Sequence, residues 1–165
     1  MDRKEIILPE LDKDLAIAQL NTILESELAG VVRYTHYSLM VFGHSRIPIV
    51  SWFREHADES LVHAQRAGEL ITHFGGHPSL AIGSLLESHQ HDIREMMKET
   101  IAAENEILAH YYGLLELAQD CSILLEEYAR EMISTEEMHI DEIDKMLRQS
   151  GQVDLSSEAI EIGKR

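Results

Sequence analysis

Glu136-Glu137-Met138-His139-Ile140-Asp141 lies in a stretch whose apolar residues recur at helical spacing: Leu125, Ala129 and Met132 before it, Ile143 after it. At the centre of that stripe, apolar side chains give way to a carboxylate and an imidazole, Glu136 and His139, three residues apart on one helix face. A lone Glu-x-x-His on a helix is common, and by itself a weak signal. Its weight comes from what the other segments do at the same depth.

Four stretches carry the helical pattern: about Asp12 to Phe42, Ile49 to Phe74, Leu85 to Leu117 and Ser122 to Arg148. No segment reads as a strand. The first stripe runs Leu20, Ile23, Leu24, Glu27, Val31, Tyr34, and the third runs Ile93, Met97, Ile101, Glu104, Leu108, Tyr111. The second offers Ile49, Phe53, His56, Ser60, His63, Ala67, Leu70 and Phe74. Each stripe is therefore interrupted by a polar residue near its middle. An ionised carboxylate in a helical core costs several kcal/mol unless it is paired or bound to a metal. A core histidine alone is most simply a hydrogen-bonded structural residue. Glutamates from three helices with histidines from two point to a shared cation.

The spacing repeats. Glu27 to His63 is 36 residues, and Glu104 to His139 is 35. Each half is a hairpin with one glutamate on its first helix and a histidine on its second. Gly43 to Pro48 makes a short turn between antiparallel neighbours, while Gly75-Gly76-His77-Pro78 stops the second helix. Ser79 to Ser84 is apolar but uncharged, as a crossover lying along the bundle would be. Asp120 or Ser122 is placed to cap the fourth helix. The expected fold is an all-α, antiparallel four-helix bundle, one domain over residues 1–165. The bundle occupies about 12–148, with a tail over 149–165 that includes a short helix at Ser156 to Ile162.

Composition narrows the function. The net charge is −16, from 30 acidic and 14 basic residues. Such a surface repels phosphate, so neither nucleic acid nor an anionic membrane is an expected partner. It attracts cations, although solubility alone would also explain it. Cys121 is the one cysteine, which suits a reducing compartment and excludes a Cys-rich metal site within the chain. The N-terminal residues have no signal-peptide core, and no run of about 18 uncharged apolar residues is present. A cytoplasmic location is the expectation.

On these residues the sequence resembles the ferritin-like superfamily, and within it bacterioferritin, over roughly Leu20 to Leu147. The matching pieces are Leu20-Asn21, Ser26-Glu27-Leu28, His63-Ala64, Gly75 to Pro78 and, above all, Glu136 to Asp141. The resemblance implies a di-iron ferroxidase and iron store, oxidising Fe(II) with O2 or H2O2. It places Glu27 and Glu104 as terminal ligands, Glu136 as a bridge, and His63 and His139 as one nitrogen ligand each. Tyr34 falls beside the metal pair as an electron donor, or simply as a core tyrosine. Carboxylate with imidazole favours iron or manganese over magnesium or calcium, and zinc occupies similar sites. A homo-oligomeric shell of twenty-four subunits is also implied.

Two positions depart from the family pattern. The second-helix bridging glutamate is replaced by Ser60, with Glu59 next to it. At about 100° per residue the two point to opposite sides of His63. A one-residue helical bulge would bring Glu59 in, and Glu27 to Glu59 does repeat the 32 residues of Glu104 to Glu136. Otherwise His56, one turn away, is the candidate substitute. The second departure is Leu61, which stands where the family carries a haem-ligating methionine, so haem is not expected by that route. Met40, Met96, Met97, Met132, Met138 and Met146 read as core fillers, and the remaining histidines as mostly solvated. Glu55 and Glu59 are candidates to line the inner surface of a shell.

Two alternatives share the bundle. One is a rubrerythrin-like peroxidase, disfavoured by the single cysteine and by Ile107 where an extra carboxylate belongs. The other is a structural shell subunit with an impaired site, for which Ser60 is the argument. A DNA-coating mini-ferritin is disfavoured by the charge.

Overall fold

The computed structural model describes residues 9–85, 88–89 and 91–154; the expected short helix at 156–162 lies outside them. Its four helices are α1 (Lys13–Met40), α2 (Arg46–His73), α3 (Ile93–Ala118) and α4 (Ile123–Leu147). No strand occurs among the described residues. At 28 residues, α1 and α2 are each about 42 Å long.

The ends follow local chemistry. The Asp12 side chain accepts from Leu15 N at 3.0 Å and caps α1. The helix α2 starts three residues earlier than the stripe suggests, because Pro48 sits in its first turn, where a missing N–H costs nothing. It closes on Gly75, whose φ of +86° is left-handed. The start of α3 is the largest correction, at Ile93 rather than Leu85. His89 has a φ of 58°, which no α-helix can absorb, and the Asp92 side chain then caps the helix at Arg94 N. For α4 the cap is Ser122, since Asp120 is itself left-handed.

Pairings across the bundle fix the directions. Gln19 Nε2 donates to His110 O near one end of α1, whereas Tyr34 donates to Glu104 further along, so α1 and α3 are antiparallel. Arg66 bonds Glu131 while Glu59 faces His139, so α2 and α4 are antiparallel too. Two hairpins joined by a long crossover satisfy both. The crossover lies against α1 as expected: Ser79 N donates to Asn21 Oδ1 at 2.7 Å, and Gly83 N to Glu25 O at 2.8 Å. A Cβ on Gly83 would stand 3.2 Å from the α1 backbone, so any side chain there would crowd this approach. Buried Arg33 holds the far end, donating to Ser84 O at 2.9 Å and Leu85 O at 2.8 Å.

The core follows the expected stripe on each helix, with Leu20, Ile23, Phe53, Met97, Tyr111, Leu125, Met132 and Ile143 fully enclosed, except that on α2 Ile71 is fully buried while Leu70 is half-buried. Met138 and Met146 are not part of it: Met138 is 62% exposed and Met146 39%. By length and composition α1 would pass for a membrane span. Its apolar stripe faces the other helices instead, with Glu27 and Arg33 buried among them.

Candidate metal centre

Halfway along the bundle three carboxylates are buried together: Glu27, Glu104 and Glu136 are 1%, 3% and 2% exposed. They come from α1, α3 and α4, each from the mid-helix position where its apolar stripe is broken. Buried His63 from α2 and half-buried His139 from α4 complete the cluster. Glu136 is the hub. Its Oε1 lies 3.1 Å from His63 Nδ1 and its Oε2 lies 3.2 Å from His139 Nδ1. His63 Nδ1 is also 3.4 Å from Glu27 Oε1.

Two tyrosines close the cluster from opposite sides. Tyr34 on α1 donates to Glu104 on α3, and Tyr111 on α3 donates to Glu27 Oε1 on α1 at 2.8 Å. Each tyrosine is seven residues beyond the glutamate of its own helix and serves the glutamate of the other. Sequence reasoning placed Tyr111 in the stripe but not at the site; its matching offset from Glu104 is the signal that could have found it.

Burial governs the protonation states. It pushes Glu27 and Glu104 above the usual carboxylate range, Glu104 further through the charge of Glu136 beside it. Burial opposes ionisation of Glu136 as well, yet His139, His63 and Glu104 around it outweigh that and hold it down to about 2. Burial works against a charged His63, but Glu136 and Glu27 raise it to about 10. For His139, likewise, Glu136 overcomes burial and raises it. The cluster thus holds protons where its geometry suits cations. One oxygen shows the misfit: Glu136 Oε1 is buried and, although His63 Nδ1 is near, no donor is aligned on it. A cation would use that lone pair.

The donor atoms of Glu27, His63 and Glu136 lie within 4.8 Å of one another, and so do those of Glu104, Glu136 and His139. These are two adjacent sets joined by Glu136, of the carboxylate and imidazole composition that suits a pair of transition-metal ions.

On the Ser60 side of the cluster, both candidate substitutes, Glu59 and His56, lie near His139. The helix α2 is regular throughout, with no bulge. Ser60 is buried against α1, so close that a Cβ on Gly30 would stand 2.9 Å from its Oγ. Glu59 reaches the site by side-chain length alone, its Oε2 3.3 Å from His139 Nε2. His56 does not replace it but joins it: donor atoms of His56, Glu59 and His139 also lie within 4.8 Å of one another. Leu61 points away and is 41% exposed, and Glu55 is exposed.

Comparison with known proteins finds the same fold. The fold matches the ferritin-like, diiron-carboxylate protein of Bacillus anthracis strain Ames with a TM-score of 0.78, at 26% identity over 83% of this chain and 98% of that one. It matches the bacterioferritin of Rhodobacter capsulatus, solved with a metal-free dinuclear site and haem iron, with a TM-score of 0.73 at 21% identity, over 84% and 86%. It also matches a dodecameric thioferritin of Bacteroides fragilis, described as bacterioferritin-related, with a TM-score of 0.76 at 23% identity, over 84% and 87%. At those identities the last two speak to fold alone. No curated protein matches significantly. Residues 17–152 match the ferritin-like domain, and the chain belongs to that family.

Proposed function

We propose that the chain is a ferroxidase and iron-storage protein, taking up Fe(II) as its substrate, oxidising it with O2 or H2O2 and releasing Fe(III). The observation that carries this reading is Glu136, buried at the meeting point of four helices with one oxygen facing His63 and the other facing His139. A carboxylate so placed joins two cation positions, completed by Glu27 on one side and Glu104 on the other.

The chain's own groups account for the steps before and after electron transfer. Incoming Fe(II) displaces the proton on His63 and the proton that Glu104 shares with Glu136. Anionic oxygens favour the ferric state, while the imidazoles retain affinity for the ferrous one. Two Fe(II) give up one electron each: with dioxygen and two protons they yield hydrogen peroxide, and with hydrogen peroxide and two protons they yield two waters. Tyr34 and Tyr111 hold the terminal carboxyls in place. Glu59 stands behind His139, on the solvent side.

The same reading extends to a single-domain, cytoplasmic, homo-oligomeric shell. The net charge of −16 would draw cations toward it. The Bacteroides thioferritin is a dodecamer, and a shell of twenty-four is the size the bacterioferritin resemblance implies. Manganese or zinc would fit the same ligands. Ser60 supports one rival, a shell subunit with an impaired site, whereas buried Ile107 speaks against the peroxidase.

The test is anaerobic loading with Fe(II) followed by air, with the ferric product read by absorbance. Rapid oxidation in the wild type, lost in Glu136→Ala at unchanged helix content, is the expected result. Oxidation at the wild-type rate in that variant removes this reading, and slow oxidation in both favours the impaired subunit. Negative-stain microscopy reports whether a shell forms.

A further inference from the structure

His56 is buried, 8% exposed, and its two ring nitrogens have opposite surroundings. Nδ1 lies 2.9 Å from the carbonyl oxygen of Trp52, one turn back along α2. A carbonyl only accepts, so Nδ1 carries the proton and Nε2 the lone pair. Nε2 is buried and has no hydrogen-bond partner. The ring is held in that orientation, tilted against Trp52 with centroids 3.9 Å apart and edge-on to His139 at 5.1 Å. An imidazole with one nitrogen fixed by a backbone carbonyl presents the other as a metal ligand.

What it meets is Glu59 and His139. Here His139 has two faces: Nδ1 toward Glu136 at 3.2 Å and Nε2 toward Glu59 at 3.3 Å. We infer that His56, Glu59 and His139 form a separate cation station at the rim of the bundle centre. It holds one divalent first-row transition-metal ion through two imidazole nitrogens and a carboxylate oxygen. That donor set favours Fe(II), Co(II) or Zn(II) over magnesium and calcium. The Glu59 side chain is 41% exposed, whereas Glu136 behind it is 2% exposed, so the station lies between solvent and the buried carboxylates.

A neutral imidazole has one lone pair. His139 therefore serves the rim ion through Nε2 or an inner ion through Nδ1, never both. That competition rests on the proposed inner pair; the rim triad itself does not. An ion at the rim consequently excludes His139 from the position held with Glu104 and Glu136.

The experiment is anaerobic Co(II) titration of the full chain, read by calorimetry and visible ligand-field absorption. Glu136→Ala dismantles the inner pair and leaves the rim intact, so this variant should still bind one Co(II) per chain. Adding His56→Gln should weaken that binding by roughly tenfold or more. Equal affinity in the two variants overturns the station, as does an absence of binding in Glu136→Ala. Where Glu136→Ala loses helix content, Glu27→Gln/Glu104→Gln serves as the background with the same two outcomes. Failure of the inner pair looks different: wild type and Glu136→Ala would then bind Co(II) with the same stoichiometry.

Discussion

Three residues before its histidine the α3–α4 hairpin has Glu136, and the α1–α2 hairpin has Ser60. In other respects the two halves follow one plan. Each contributes a buried glutamate, a tyrosine seven residues on that crosses to the other half, and a histidine on the return helix. Glu136 directs its two oxygens at the histidines of both halves, while Ser60 packs into the space beside Gly30 and offers the site no charge. The difference teaches how a symmetric site is opened on one side. With serine at that position, Glu59 and His56 reach in from the rim, and Glu136 faces the histidines of both halves.

The largest effect should come from removing that group. Glu136→Ala takes a ligand from both cation positions at once and should lower metal affinity by more than about 100-fold, measured by anaerobic titration. The matching change in the other half, Ser60→Ala, should leave affinity unchanged. Equal losses in the two variants would erase the distinction between the hairpins.

Restoring symmetry is the converse test. Ser60→Glu adds a buried carboxylate, which in the metal-free protein should cost about 3 kcal/mol in denaturant unfolding. Metal should recover most of that loss, so the gap between metal-free and loaded midpoints should widen relative to wild type. A variant equally destabilised in both states would mean that the introduced carboxylate never reaches the cations.

Protons stand in for cations in the metal-free cluster, and pH should reveal it. His63, raised from 6.5 to about 10, contributes its full stabilisation below pH 6.5 and loses it as pH rises through 10. Glu27 and Glu104, raised by burial, act in the same direction. Glu136, lowered from 4.5 to about 2, contributes above pH 4.5 and loses that contribution as pH falls toward 2. Metal-free protein should therefore unfold at lower urea concentration at about pH 9 than at about pH 6. Loaded protein should show the opposite trend, because metal binding releases those protons.

The smallest expected effect sharpens the match between the halves. Tyr34→Phe and Tyr111→Phe each remove one donor to a buried carboxyl, and each should cost roughly 1–3 kcal/mol of metal-free stability by urea unfolding. A large cost in one and none in the other would show that the crossed tyrosines are not equivalent.

The bundle was legible because each helix keeps its apolar stripe on one face, and the five central carboxylate and imidazole residues because they break that stripe at one depth. Less could be read where tertiary contacts decide. The apolar residues near Leu85 imitate a helix start, but the left-handed His89 and the grip of Arg33 on Leu85 O set the chain apart from α3. Whether Glu59 or His56 would reach the site depended on side-chain length and on the hollow at Gly30 that receives Ser60. Helical phase set Ser60 nearer the stripe centre than Glu59, but could not show that Glu59 still reaches His139 from the rim. Met138 was misread because its neighbours Glu136 and His139 turn inward while it turns out.

The most direct test of the central claim is a crystal of the wild-type protein soaked anaerobically in Fe(II), with anomalous scattering recorded at the iron edge. Two peaks are expected, one among Glu27, His63 and Glu136 and the other among Glu104, Glu136 and His139, both touching the Glu136 carboxylate. Saturating Fe(II) with no peak on Glu136, its side chain still turned to the two histidines, would contradict the account.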